Sequence, residues 1–255
     1  MKAKMVVLVV VLLLVAMVPA LVMAGGQAKP EQTASIHIDI RKPIGPQLDA
    51  QLGVSARGPR SVNAVVVPSS RGPAAQAPQP NAVYGLLNDG FENGASNWSF
   101  AEYGSPVGWD VTDYLAKRGQ YSFYSAGYNN DPFVNPYYDN DMEAWAWTDM
   151  DLQGARRVQV RFQFMNDSEL GYDYFWWCAS SDGWNYYCDG HTGSTNGKWR
   201  LVTMDSRNNP ILADALGSPF GSFAFIFTSD DFCCVDRGAF VDVLRIRAWG
   251  PSPIN

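Results

Sequence analysis

"RRVQVRFQFMND" (156–167) decides the fold. Val158, Val160, Phe162 and Phe164 fall on one face of an extended chain, and Arg157, Gln159, Arg161 and Gln163 on the other. That period of two is the signature of a β-strand with one buried face. The same reading extends in both directions. "GQYSFYSAG" (119–127) and "MEAWAWTDMDL" (142–152) alternate. "YDYFWWCAS" (172–180) and "WNYYCD" (184–189) flank a Ser-Asp-Gly turn. "KWRLVTMD" (198–205), "GSFAFIFTSD" (221–230) and "GAFVDVLRIRAW" (238–249) complete the set, with Gly, Asn, Asp and Pro clusters between them. "PILADALGS" (210–218) alone reads as a short helix. Many short strands with almost no helix predict an all-β, antiparallel β-sandwich of the jelly-roll, concanavalin-like kind.

This domain occupies 84–250, where all 34 aromatic residues lie, and a tail of 251–255 follows. About 170 residues suffice for a substantial core. Residues 25–83 differ: they hold eight of the sixteen prolines and no aromatic residue. Such a composition buries too little surface to offset chain entropy, and it reads as a Pro-rich linker or stalk. "SIHIDI" (35–40) alternates like a short strand and is the exception within it. At the start of the chain, Lys2 and Lys4 precede an apolar run that ends in Val22-Met23-Ala24 before Gly25. That pattern predicts a secretory signal peptide over 1–24. The run is nearly long enough to cross a bilayer, so an uncleaved anchor is the alternative. No second stretch approaches that length, so no membrane span is expected in the mature protein. Residues 84–255 carry 22 Asp/Glu against 11 Lys/Arg, a net of −11, which repels nucleic acid and anionic membrane.

The order of segments resembles a known module. "LLNDGFENGASNWSF" (86–100) places a short apolar strand before a Gly-Phe-Glu turn and a Trp. "WAWTDMDLQGARRVQVRFQFMNDSELGYDYFWWCASSDG" (145–183) and the closing "GAFVDVLRI" (238–246) continue the match. The chain is similar over about 87–248 to the MAM-like jelly-roll module that accompanies immune inhibitor A metalloproteases and occurs in bacterial cell-surface proteins. It departs in having one Asp rather than two in the closing strand, and in its extra cysteines. His-Glu-x-x-His is absent, so the resemblance implies an accessory module and not the peptidase. It also implies a structural Ca²⁺ held by Glu92 and Asp242, with Asp89 and backbone carbonyls as further ligands. An ion between two carboxylates would tie the ends of the domain together. "YYDND" (137–141) offers Asp139 and Asp141 as a second candidate.

Catalytic constellations are weak. His37 and His191 are the only histidines, and nothing like Gly-x-Ser-x-Gly marks a nucleophile, so His191 is expected to be a solvated loop residue. Asp141, Glu143, Asp149 and Asp151 share a strand face but lack the Glu-x-Asp-x-x-Glu spacing of sandwich-fold glucanases. No enzyme activity is expected, with a glycan hydrolase the remotest reading.

Four cysteines suit an oxidising compartment and allow three pairings. Cys178 and Cys188 are symmetric about Gly183, roughly opposite in a hairpin, which favours 178–188 with 233–234. The alternative bridges the hairpin to the 233–234 loop. Alternation also sorts the aromatics. The resemblance aligns Phe175, Trp177 and Ala179 with the family's apolar inward positions, and Ala144, Ala146, Thr148 and Met150 make the inward set of 143–150. Trp145, Trp147, Tyr174 and Trp176 then fall on the opposite face, either as a platform for sugar rings or beneath a cover. The sequence therefore predicts a secreted or cell-surface binding module whose partner is an extracellular glycan, or alternatively a surface protein.

Overall fold

The computed structural model of the protein describes residues 83–251 and, as backbone, 31–41. The expected signal peptide, most of the expected linker and residues 252–255 lie outside these. Two antiparallel sheets face each other. The first runs β1 (Glu31–Arg41), β9 (Asn185–Gly193), β8 (Tyr174–Ser180), β11 (Gly221–Thr228), β6 (Met142–Met150) and β3 (Ser99–Gly104). The second runs β10 (Arg200–Asp205), β7 (Arg157–Asp167), β12 (Gly238–Trp249), β5 (Ser122–Tyr128) and β4 (Gly108–Thr112). β2 (Val83–Asp89) also pairs with β12. A single helical turn, α1 (Pro210–Asp214), is capped by Asn209, whose side chain accepts from Leu212 N.

The sandwich is the one the alternation predicts. Val158, Val160, Phe162 and Phe164 of β7 are all in the inter-sheet core. So are Ala144, Ala146 and Met150 of β6, and Phe175, Trp177 and Ala179 of β8. The small residues of β6 leave room for Trp98, Trp109 and Phe225, whose rings meet between the sheets. Phe91, at the Gly-Phe-Glu turn, stacks on Phe123 at 4.8 Å. Each such side chain contributes on the order of 2 kcal/mol by leaving water.

Several elements differ from expectation. β3 and β4 go unmarked in the sequence, because their short runs mix polar and apolar residues without a long alternation. β9 continues through His191 to Gly193, which the glycines of "CDGHTG" disguise as a loop. β1 is longer than the six residues of "SIHIDI" and pairs with β9 as an edge strand, with a register shift between Ala34 and Ile38. Part of the segment expected to be linker thus belongs to the sheet.

Candidate functional site

The predicted platform residues do share a face. Trp145, Trp147 and Trp176 form a second cluster with Ala101, Tyr186, Ala224, Ile226 and the Cys178–Cys188 pair, on the sheet face turned away from the core. They are not solvent-facing, however: their exposures are 1%, 2% and 4%. Large rings alternate across strands with small neighbours and lie over them. Trp176 is paired with Gly190 in register, and a Cβ on Gly190 would come within 2.3 Å of the indole. Trp147 faces Ala224, and Ile226 sits between Trp145 and Trp176. Tyr174, half-buried, stacks on Trp176 at 4.7 Å. The polar edges are occupied too: Trp176 Nε1 donates to Thr228 Oγ1 at 3.1 Å and Trp145 Nε1 to Glu143 Oε1 at 2.8 Å. The reading of these three tryptophans as an exposed sugar platform is therefore corrected.

The calcium candidates separate. Asp89 accepts from Phe91 N at 2.8 Å and from Trp98 Nε1 at 3.1 Å, so both its oxygens serve the local turn. Glu92 and Asp242, the latter on β12, meet at the 117–121 turn. Glu92 accepts from Gln120 N and Tyr121 N, both at 3.0 Å. Asp242 accepts from Lys117 N at 2.8 Å, Arg118 N at 2.7 Å and Val243 N at 2.5 Å. Gly119, at φ 78°, leaves the space that the Glu92 carboxylate fills. Asp242 is fully buried, and burial first, then the charge of Glu92, push its carboxyl above the usual range. Asp139 and Asp141 do not converge. Asp139 accepts from Ser105 Oγ at 2.8 Å, whereas Asp141, at φ 56°, is held through its backbone by Ser105 and Asp230.

His191 is 1% exposed, with Nδ1 3.3 Å from Asn166 Nδ2 and its ring beside Phe164. It is a packed core residue, not a solvated one. Cys178–Cys188 and Cys233–Cys234 are both bonded. The first joins facing residues of β8 and β9, and the second lies in an exposed loop.

A cleft that the sequence does not mark opens beside β4 and β5. Its volume is about 330 Å³, and Asp113, Tyr121, Asn130, Asp131 and Phe133 are among its lining residues. Phe133 is 66% exposed, and Tyr114 braces it edge-on at 5.3 Å. The loop is fixed by Asp131, which accepts from Phe133 N through Oδ1 and from Val134 N and Asn135 N through its carbonyl. Asn129, at φ 58°, ties it to Pro106 O, and Asn130 ties it to Tyr137 O. An aromatic face is thus held next to planar carboxylate and amide groups. A "NDPFVNP" loop at 130–136 is where an exposed aromatic between turn residues could have been noticed.

No family model matches the chain, and no curated protein does. Among solved structures it is similar to the K3 cleaved adhesin domain of Lys-gingipain from Porphyromonas gingivalis W83. Identity there is 17%, coverage 64% of this chain and 98% of that one, and the TM-score 0.45. It is also similar to the CBM22-1 xylan-binding domain of Xyn10C from Paenibacillus barcinonensis, at 16% identity, 70% and 100% coverage and a TM-score of 0.42. A third is TmCBM61 in complex with β-1,4-galactotriose, at 14% identity, 62% and 92% coverage and a TM-score of 0.42. Among the described residues no helix is long and apolar enough to cross a membrane.

Proposed function

We propose that this domain is a non-catalytic, secreted or cell-surface binding module of the MAM-like jelly-roll kind, and that it takes an extracellular carbohydrate in the cleft beside Phe133. The observation that carries this reading is the pairing of an exposed, braced aromatic ring with Asp113, Asn130 and Asp131 around one opening. Sugar rings present C–H faces that complement a π surface, and their hydroxyls bond in pairs to planar carboxylates and amides.

Calcium is part of the same proposal, in a structural role. Glu92 and Asp242 fit it in charge, since two carboxylates of one sign converge on the 117–121 turn and one is buried with a raised affinity for a proton. Asp89, the third candidate, accepts from Phe91 N and Trp98 Nε1, just as Glu92 and Asp242 accept from backbone N–H groups, so an ion would share each carboxylate with these donors. The ion would add a bond between the first and last strands of the second sheet.

The test is a glycan array followed by calorimetry on the hits. Phe133→Ala and Asp131→Asn are expected to weaken binding at least tenfold, with the melting temperature of Phe133→Ala unchanged. A folded protein that binds no glycan, or a hit indifferent to Phe133→Ala, would overturn the assignment of the cleft.

A further inference from the structure

The opposite use of exposed aromatics occurs where three loops meet, at residues 135–141, 168–173 and 229–237. Tyr172 is 63% exposed, Phe232 72% and Tyr137, on the first of these loops, 48%. The loops are bolted together beneath. Tyr138 Oη donates to Asp173 Oδ2 and accepts from Glu169 N, and Asp230 N donates to Asp173 Oδ1 at 2.9 Å. Tyr138 N donates to Asp236 O, and Asp141 N to Asp230 O. Phe232 is followed directly by the exposed Cys233–Cys234 pair, and a Glu169 carboxylate oxygen lies within 4.8 Å of both sulfurs. Bonded cysteines cannot act as thiolate ligands, so this grouping is not a metal site.

The charge of this apolar surface is one-sided. Apart from the buried Asp173, the three loops carry Asp139, Asp141, Glu169, Asp230, Asp231 and Asp236 against a single cation, Arg237, and Arg237 is engaged by Asp167 at 3.3 Å. Glu169 Oε2 is shut off from solvent and has no hydrogen-bond partner among the described residues. Its carboxyl is pushed above the usual range by burial first, then by the charges of Asp173, Asp230 and Asp236. A surface that pairs exposed rings with an uncompensated carboxylate is complementary to a planar cation. A guanidinium fits better than an ammonium, because it is less strongly hydrated, forks onto carboxylates and stacks on aromatic faces.

We propose that this loop end docks an arginine-bearing segment of a partner protein, with the guanidinium received by Glu169 beside the Cys233–Cys234 pair and flanked by Phe232 and Tyr172. Docking there is independent of sugar binding in the Phe133 cleft, and either could fail alone. Glu169 serves the fold through its backbone, which accepts from Thr192, Tyr172 and Asp173; its side chain is half-buried with Oε2 turned in, so a partner's guanidinium would meet the carboxylate at Oε1.

The experiment is a calorimetric titration of the full chain with a tri-arginine peptide amide, alongside the same peptide with citrulline, a neutral isostere. Glu169→Gln and Phe232→Ala are compared with Asp214→Asn, which removes one charge from the exposed end of α1. The expected result is a loss of at least tenfold in affinity for Glu169→Gln and fivefold for Phe232→Ala, and less than twofold for Asp214→Asn. Phe232 is too exposed for its truncation to disturb folding, so that variant stands even if Glu169→Gln misfolds. Equal binding of the citrulline peptide, equal losses in Asp214→Asn and Glu169→Gln, or no binding by the wild-type chain would overturn the proposal.

Discussion

Trp176 lies across Gly190, with its six-membered ring where a side chain on that residue would begin. The two are register partners on β8 and β9, so the indole needs a neighbour with no Cβ. Gly190→Ala is expected to lower stability by about 2 to 3 kcal/mol through overpacking, although Gly190 lies inside a strand where alanine is ordinarily the better residue. Denaturant unfolding measures it. An unchanged or higher midpoint would show that the ring is not seated there.

The two cysteine pairs should behave differently on removal. Cys178–Cys188 closes a loop across ten residues, and its loss (Cys178→Ala with Cys188→Ala) is expected to destabilise by about 2 to 3 kcal/mol. Cys233–Cys234 joins adjacent residues and restricts almost no loop, so Cys233→Ser with Cys234→Ser should leave the unfolding midpoint within about 0.5 kcal/mol. A midpoint that moves with the second pair and not the first would reverse this assignment.

Stability should peak in mildly acidic solution. Arg157 and Arg207 hydrogen-bond Asp205 with both ends of their guanidinium groups, and hold its carboxyl well below the usual range. Asp182 caps the β8–β9 turn through four donors; despite some burial, these hold it down to about 2. A depressed carboxyl stabilises the fold above its unfolded value of about 3.9, and this is lost as pH falls towards 2. Asp173, Asp242 and Glu169 are shifted the other way, so the native state takes up their protons first, and stability rises as pH falls from neutral towards about 4. Melting curves from pH 8 to pH 2 should therefore rise and then fall, and Glu169→Gln should flatten the rising part. A monotonic decline from pH 8 would contradict it.

Calcium is tested by melting with and without EDTA. If an ion bridges Glu92 and Asp242, chelation lowers the melting temperature, and Glu92→Gln abolishes that difference. Absence of any shift at millimolar calcium would remove the ion from the account. Asp242→Ala is destabilising in either case, by about 3 kcal/mol, because three backbone N–H groups lose their acceptor in a buried site.

The sequence reveals which residues share a face far better than what lies over that face. Strict alternation in 157–164 and 142–150 puts Phe162 and Ala146 in the core and Trp145 opposite, and the structure agrees. Parity is a property of the backbone and survives without tertiary knowledge. Exposure depends on tertiary packing, such as the seat over Gly190 that Trp176 fills, and such pairings need the register. His191 was misplaced for a related reason, since the glycines at 190 and 193 imitate a loop while serving close packing. The Glu169 loop end joins segments far apart in the chain and has no local pattern to find, whereas the Phe133 cleft lies within residues 111–133 and its one local mark is the aromatic between turn residues at 130–136.

β12 is the last strand in chain order, and it pairs with β7 on one flank and with β2 and β5 on the other. β2, β5 and β7 therefore all wait for a partner supplied by residues 238–249. As the chain emerges from a ribosome, the earlier strands can pair within the first sheet, but the second sheet lacks its central strand until residues 238–249 are available, so the sandwich closes late in folding.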